Sequence, residues 1–319
     1  MIEERRGIGL GVTAYLIWGL FPLYWPLLEP AGAVEILAHR VAWSLVTVVL
    51  LLAIVTRSLS ALPRDRRRLL LLTAAAVLIG VNWGVYIWGV NNHHVVETSL
   101  GYFINPMVSV ALGVVVLGER LRHAQWAAVA VAALGVVVLT VEAGRPPWIA
   151  LTLAASFGTY GLVKRVVGVG TVEGLVVEAA VLTPVAVGYL VIAGAGGDQT
   201  FTTHGAGHAV LLASSGLVTA IPLLAFAGAA QRVPLSRLGL LQYLTPTIQF
   251  LIGVLVRHEA VSSGRLVGFG LVWVALVVFT VDTLRTDRGR WSQRRVQPAA
   301  MPPLTGDAPV LDVDESVPR

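Results

Sequence analysis

The amino-acid sequence predicts an all-α membrane protein with ten transmembrane helices. Apolar residues make up 56% of the 319 residues and charged residues only 13%, about half of the ~25% that is typical of soluble domains. The apolar residues also occur in blocks of roughly twenty, long enough to cross the hydrocarbon core of a bilayer as one helix. The predicted spans are 8–27, 34–56, 69–90, 95–117, 123–141, 147–163, 171–193, 208–231, 235–256 and 264–283.

The composition excludes several other classes of protein. The chain contains no cysteine, which rules out disulfide scaffolds, thiolate zinc sites and cysteine nucleophiles. The net charge of +5 does not indicate nucleic-acid binding, because the basic residues flank apolar blocks. No Walker motif or dinucleotide fingerprint occurs, and His94 with Glu97 supplies only two metal ligands. We therefore expect no cofactor, no metal and no nucleic-acid partner.

The positions of Lys and Arg orient the predicted helices. If the N-terminus is cytoplasmic, only Arg145, Arg257 and Arg265 of the 23 Lys and Arg residues fall outside, and Arg40 lies within the second span. We therefore expect both termini on the cytoplasmic side. The first apolar block has no signal-peptide cleavage pattern and is expected to be a retained span.

The fourth and ninth spans share a pattern that indicates an internal repeat. Three residue pairs recur at one constant offset, namely Pro106 and Pro246, Gly113 and Gly253, and Glu119 and Glu259. Five spans in each half is an odd number, so the two halves are expected to lie in opposite orientations. Inverted repeats of this kind place the substrate site of many secondary transporters near the membrane midplane.

The repeat also sets the predicted domain boundaries and helix breaks. The first five-helix repeat covers 1–144, the second covers 145–284, and an arginine-rich, then acidic segment at 285–319 is expected to be a disordered cytoplasmic tail. Pro106 and Pro246 are expected to break their helices near the centre, because proline cannot donate a backbone hydrogen bond.

Charged residues inside the predicted spans are costly and usually face a partner or a wet cavity. Glu35, His39 and Arg40 lie in the second span, with Glu35 and His39 on one helical face. Either Arg40 snorkels to the outer interface while Glu35 caps the helix, or the group forms a gate or anion site in which His39 titrates near neutral pH. Glu178 of the seventh span either carries a proton or pairs with a nearby base. Glu35 and Glu178 are thus the candidates for proton coupling.

Polar and aromatic residues deep in the spans either pack the bundle or line a cavity for an amphipathic, partly aromatic solute. The candidate substrate-binding residues are Tyr15, Trp18, His39, Arg40, Asn82, Trp83, Tyr102, Asn105, Tyr160, Gln242 and Tyr243. By contrast, Trp25, Trp88 and Trp148 lie near span ends and are expected in the interfacial belt.

Several segments occur in an order that is typical of one family. They are Tyr15–Pro22 (YLIWGLFP), Glu35–Arg40 (EILAHR), Asn82–Trp83, Trp88–His94 (WGVNNHH), Glu97–Pro106 (ETSLGYFINP), Leu117–Arg120 (LGER) and Tyr160–Lys164 (YGLVK). Together they resemble the RarD-type proteins, which are EamA-domain members of the drug/metabolite transporter superfamily. The resemblance covers about residues 8–284 and implies a ten-helix, inverted-repeat secondary carrier of the cytoplasmic (inner) membrane.

The predicted function is secondary transport of a small amphipathic metabolite or drug by alternating access, as an exporter or permease, with proton coupling as an option. A membrane-embedded enzyme acting on lipid-linked substrates is an alternative, but the ionisable residues are spread over both faces instead of gathered at one. A channel or an accessory subunit is another alternative. The expected partners are a small-molecule substrate and the lipid bilayer. Small-residue stripes (Ala128 and Ala132; Gly264 and Gly268) serve either a homodimer or packing within the monomer.

Overall fold

The computed structural model describes residues 2–55, 65–118, 120–169, 171–230, 232 and 241–296, whose regular structure is entirely helical. The helices are α1 (Ile2–Tyr24), α2 (Ala33–Val55), α3 (Arg66–Asn91), α4 (Val95–Leu117), α5 (His123–Ala143), α6 (Trp148–Val167), α7 (Thr171–Gly196), α8 (Gly205–Ala230), α9 (Leu244–Leu251) and α10 (Ser263–Val296). Three short pieces join them: a 3₁₀ turn (Trp25–Leu28) after α1, a single helical turn (Thr200–Thr203) before α8, and a π-helical turn (Ile252–Val256) after α9.

Eight helices of the described residues are long and apolar enough to cross a membrane, namely α1 to α5, α7, α8 and α10. This number of apolar helices is that of a multi-pass membrane protein. The predicted span 147–163 coincides with α6, which is 20 residues long but more polar, because it carries Lys164 and Arg165 near its end. The predicted span 235–256 is described only from residue 241 onwards, where the apolar helix Leu244–Val256 lies.

The helices pack mainly across the predicted domain boundary. The most extensive contacts join α5 to α10, α4 to α6, α2 to α8, α2 to α7, α3 to α6, and α1 to both α8 and α9. The two predicted halves are therefore interleaved, and neither forms a separate bundle. Small residues permit several of these contacts: Cβ atoms at Gly101 and Gly135 would press against the backbones of Ala150 and Gly268.

The small-residue stripes of α5 and α10 pack against other helices of the same chain. Ala128 and Ala132 are buried, and a Cβ at Gly268 would overlap the side chain of Leu139 on α5. Gly264 of α10 likewise lies against Glu142 at the end of α5. A homodimer would therefore have to use another surface of the protein.

The structure departs from the predicted disordered tail in one part of it. Helix α10 continues to Val296, so residues 285–296 are helical. Arginine and glutamine favour helices, and the first proline after the membrane span is Pro298, so no proline interrupts this stretch. Residues 297–319 lie outside the described residues.

The two predicted helix breaks are accommodated differently. Helix α4 is continuous through Pro106. Pro246 lies in the first turn of α9, directly after the turn at Gln242 and Tyr243, where a missing backbone N–H has no helical partner to lose. The interruption in the second half therefore precedes Pro246, and the π-helical turn follows at Ile252–Val256.

A carboxylate that follows the ninth span caps the start of α4. The two carboxylate oxygens of Glu259 accept hydrogen bonds from the backbone N–H groups of Val95 (2.6 Å) and Val96 (2.8 Å). These groups have no partner within the helix, and a negative charge at this end is favourable. The contact ties α4 to the segment that follows α9.

We expect Glu259→Ala to lower the free energy of unfolding by about 1–2 kcal/mol, because two helical N–H groups lose their acceptor. The measurement is thermal unfolding of the purified protein in detergent, with Asp198→Ala, which removes an exposed carboxylate, as the control. Equal melting temperatures for the two variants would contradict a stabilising role for Glu259.

Candidate functional site

A buried arginine lies inside the bundle. Arg40 of α2 is only 3% exposed, and its Nε donates a hydrogen bond to Thr219 Oγ1 of α8 at 2.9 Å. Its Nη1 atom is buried and has no hydrogen-bond partner among the described residues, and no carboxylate of these residues forms an ion pair with it. In the structure, the Arg40 side chain is therefore buried and does not snorkel to the outer interface.

Aromatic rings surround this guanidinium group. The guanidinium carbon of Arg40 lies 4.0 Å from the ring centroid of Trp83, 5.0 Å from that of Trp25 and 5.6 Å from that of Phe21. Ring faces attract a cation most strongly where water is excluded. We refer to Arg40, Phe21, Trp25, Trp83 and Thr219 as the Arg40 cage. The cage compensates the positive charge without neutralising it.

A hydrogen-bond network next to the cage centres on Asn82 of α3. Its Nδ2 donates to Leu153 O and Ser156 Oγ of α6, each at 3.0 Å, and its Oδ1 accepts from Tyr102 Oη of α4 at 3.3 Å. Because an unsatisfied amide is expensive inside a bilayer, these bonds explain how Asn82 is tolerated there. The network holds α3, α4 and α6 together at the level of the cage.

A second amide extends the network to α1 and α9. Gln249 Nε2 donates to Tyr86 Oη at 2.8 Å and to the carbonyl oxygen of Trp18 at 3.1 Å. The ring of Tyr86 packs edge-on against that of Tyr102, with centroids 5.6 Å apart. Five helices (α1, α3, α4, α6 and α9) therefore meet through polar contacts beside Arg40.

Glu178 of α7 forms a separate ion-paired group. Its carboxylate is 2% exposed and accepts hydrogen bonds from Lys164 Nζ at 2.8 Å and Tyr160 Oη at 3.0 Å. Pairing of Glu178 with Lys164 was one of the two sequence-based interpretations, and the structure contains that pair. The ring of Phe157 contacts both Tyr160 and Tyr102, so the group is connected to the Asn82 network.

The cavity beside Glu178 is very small. A cavity of about 10 Å³ lies beside Trp83, Ser44 and Glu178, which is room for about one water molecule. The opposite face of the site is filled by rings, since Tyr15, Trp18 and Phe226 pack with centroids 5.5–6.0 Å apart. Neither of these two places, as the structure describes them, has room for a solute.

The remaining candidate residues make no contact with Arg40 that the structure describes. His39 stacks on Phe201 with centroids 4.7 Å apart, and neither ring nitrogen has a hydrogen-bond partner in the described part of the chain. Glu35 accepts hydrogen bonds from the backbone N–H and hydroxyl of Thr200, so it caps the short turn before α8 and does not pair with Arg40. Asn105 is buried on α4, and its Oδ1 accepts no hydrogen bond from the described residues.

The two candidates at the start of α9 also make no contact with Arg40 that the structure describes. Tyr243 packs against the apolar core that α4, α5, α9 and α10 share, and Gln242 is half-buried in the turn. No group of three or more His, Asp or Glu side chains among the described residues could hold a metal ion.

Sequence reasoning missed several residues of the site. Trp25 was expected in the interfacial belt, but it is completely buried because the 3₁₀ turn after α1 folds it onto Arg40. Gln249 and Thr219 were visible as polar residues within apolar blocks, a signal that applied equally to Gln242 and Thr245. Their roles depend on which helices meet, and the sequence pattern does not specify that.

Comparisons with known proteins identify the family of the chain. The model of the EamA-like transporter family matches residues 5–141. Protein RarD of Streptomyces exfoliatus is 57% identical over 93% of this chain and 95% of its own, and protein RarD of Escherichia coli (strain K12) is 42% identical over 90% and 97%. The uncharacterized transporter YojE of Bacillus subtilis (strain 168) is 41% identical over 90% and 97%.

A solved structure shares the fold, with a TM-score of 0.57 at 19% identity over 86% of this chain and 97% of that chain. The three relatives are named as RarD or as a transporter, and none of them is named as an enzyme. The chain is a member of the EamA-like transporter family, of the RarD type, and is a membrane transporter rather than an enzyme.

Proposed function

We propose that this protein is a secondary transporter that moves a small amphipathic metabolite or drug across the cytoplasmic membrane by alternating access. The observation that carries the proposal is the Arg40 cage, which holds a buried cation. Among the described residues, the Nη1 atom of Arg40 has no hydrogen-bond acceptor, and no carboxylate pairs with its positive charge. A charge in the middle of an apolar bundle is costly, so its retention indicates a function that uses it.

The proposed substrate group at Arg40 is an anion or a strong hydrogen-bond acceptor. Arginine presents several donors in a fixed plane, and only Nε is occupied by a protein partner that the structure describes. The rings of Trp83 and Trp25 would contact the apolar part of the same solute. The Asn82 network and the Tyr15–Trp18 pair would complete the site once the helices separate.

The proposed architecture is ten spans in two inverted repeats, 1–144 and 145–284, with both termini in the cytoplasm. The packing of the helices supports it. If α1 to α5 correspond to α6 to α10, the α3–α6 contact becomes α8–α1, α4–α6 becomes α9–α1, and α2–α8 becomes α7–α3, and all of these contacts occur. When the two sets of helices are exchanged in this way, each of the α5–α10, α2–α7 and α4–α9 contacts is mapped onto itself. A pseudo-two-fold axis would produce this pattern.

Movement between the two states would open the site from one side at a time. Helix α9 is the element that is suited to move, because it begins at a turn and ends in a π-helical turn, and such irregular turns often lie at functional positions. Gln249 and Thr245 of α9 bond to the carbonyl oxygens of Trp18 and Tyr15 on α1. Opening would therefore separate α9 from α1.

The proposal is tested by uptake into proteoliposomes of a panel of radiolabelled aromatic acids, amino acids and neutral aromatic drugs. A secondary transporter accumulates at least one of them against its concentration gradient when a proton or sodium gradient is imposed. A channel would only equilibrate the solute. Failure to move any solute in the presence of every gradient would contradict the proposal.

Glu178 and Glu35 are the proposed proton carriers, and the structure favours Glu178, since its carboxylate connects to the Asn82 network. We expect Glu178→Gln to abolish proton-driven accumulation, because an amide cannot exchange a proton, while counterflow exchange of the same solute continues. The measurement compares proton-driven accumulation with counterflow exchange in the same proteoliposome preparation. The control is Glu173→Gln on the same helix. Loss of both activities in Glu178→Gln would assign a structural role to the pair with Lys164.

A further inference from the structure

A pocket of about 430 Å³ lies at one end of the bundle, apart from the Arg40 cage. It is formed where the α3–α4, α5–α6 and α9–α10 connections meet, and the ends of α4, α5 and α10 complete it. Its largest apolar side chains are those of Leu100, Leu139 and Phe269. No residue of the Arg40 cage lines it, so it is a separate candidate site.

The pocket gathers positive charge. Arg145, Arg257 and Arg265 all line it, and they are the three basic residues that fall outside the membrane if the N-terminus is cytoplasmic. Basic residues are scarce at that end of a membrane protein, yet these three converge on one pocket. Three histidines, at positions 93, 94 and 258, line it as well.

The carboxylates of the pocket neutralise only part of this charge. Both oxygens of Glu259 are engaged by the N-terminus of α4. Glu97 accepts a hydrogen bond from Ile149 N at 3.1 Å and lies 3.5 Å from Arg145 Nη2. Within the part of the chain that the structure describes, neither Arg257 nor Arg265 forms an ion pair.

Arg257 is the side chain that most clearly lacks a partner. Its Nε atom is buried and has no hydrogen-bond partner among the residues that the structure describes, and its Nη2 lies 3.5 Å from His93 Nδ1, at the limit of a hydrogen bond. His93 and His258, on either side of the pocket, have left-handed backbones with φ of 59° and 51°. Such conformations are strained for residues other than glycine and occur preferentially at functional sites.

We propose that this pocket binds a small organic anion, with its carboxylate or phosphate group on Arg257 and Arg265 and its apolar body on Leu139 and Phe269. A guanidinium group binds such oxygens through short charge-assisted hydrogen bonds. The volume suits a solute of drug-like size. The anionic group is either that of a soluble molecule or that of a lipid head group at the membrane surface.

The test is calorimetric titration of phenyl phosphate into the full-length protein in phosphatidylcholine nanodiscs, with phenol as the uncharged comparison. Wild-type protein is expected to bind phenyl phosphate and not phenol. Arg257→Gln and, independently, Arg265→Gln are expected to weaken binding by roughly tenfold or more, the usual effect of losing a hydrogen bond to a charged group. Arg6→Gln, which changes an exposed arginine on α1, is the matched control and should bind as wild type does.

Nanodiscs that contain phosphatidylglycerol distinguish the two sources of the anion. Binding of phenyl phosphate that persists there indicates a soluble ligand, whereas binding that this lipid abolishes in wild-type protein indicates a lipid phosphate. Wild-type affinity in both arginine variants would overturn the proposal, as would the absence of phenyl phosphate binding in phosphatidylcholine. Melting curves confirm that each variant is folded. No transport is needed for this measurement, so its result is independent of the proposed function.

Discussion

Arg40→Met is expected to abolish transport and at the same time to raise the melting temperature of the protein. Methionine is unbranched and apolar, and it fills the space of the arginine side chain as far as about Nε. It removes a charge whose burial costs about 2.5–3.5 kcal/mol at mid-membrane, and buried charged groups are often replaced by apolar groups with a gain of ~1–4 kcal/mol. The lost contributions are the bond to Thr219 and the cation–π contacts.

The two readouts separate function from folding. Uptake of the solute found in the panel reports on the site, and thermal unfolding in detergent reports on stability. Arg40→Ala is also expected to abolish transport, but it leaves a cavity and should gain less stability. Arg6→Met, which changes an exposed arginine, should leave both readouts unchanged. Wild-type transport by Arg40→Met would remove Arg40 from the substrate site.

Gly216→Ala is expected to destabilise the protein strongly, although it adds only one methyl group. A Cβ at Gly216 of α8 would overlap the backbone carbonyl group of Trp43 on α2, and a helix backbone cannot rotate away as a side chain can. Inserted methyl groups in packed interiors usually cost about 1–3 kcal/mol, and we expect the upper part of that range. Thr219 is one turn further along α8, so the displacement would also pull its hydroxyl from Arg40.

The matched control is Gly188→Ala on α7, where a Cβ would meet no atom of the described residues within 4 Å. That substitution should be neutral or slightly stabilising, because alanine favours a helix over glycine by roughly 0.5–1 kcal/mol. Both variants are compared by yield of monodisperse protein and by melting temperature. Equal behaviour would show that α2 and α8 are not in close backbone contact at Gly216.

The sequence predicted the helices well because their signal is local. Apolar blocks gave α1 to α5, α7, α8 and α10 as membrane-spanning helices, and Gly118 and Gly144 end α4 and α5 in left-handed conformations, as glycine does at helix ends. The polar end of α6 was harder to interpret, because the charge of Lys164 is paired with that of Glu178 on another helix. A hydropathy pattern counts such a residue as polar even where its charge is paired.

The site was predictable only as a list of costly residues. The energetic cost of polar groups in lipid singled out Arg40 and Asn82, but it did not decide whether Arg40 is buried or reaches the interface, nor which partners the two side chains have. Trp25 illustrates the reason: its position near the end of the first span suggested the interface, whereas a short 3₁₀ turn places it over the guanidinium group. His39 and Glu35 were assigned to the same group as Arg40 from spacing alone, and their partners turned out to be Phe201 and Thr200 on a distant segment.

The interleaving of the helices also has a consequence for biogenesis. While the ribosome is still synthesising α6 to α10, the first five helices have already entered the membrane without the surfaces that later cover them. Arg40 would then face lipid or the insertion machinery without Thr219, and Asn82 would lack both Leu153 and Ser156. The nascent chain therefore passes through an intermediate with exposed polar groups, which makes the speed of synthesis and the availability of membrane chaperones relevant to its yield.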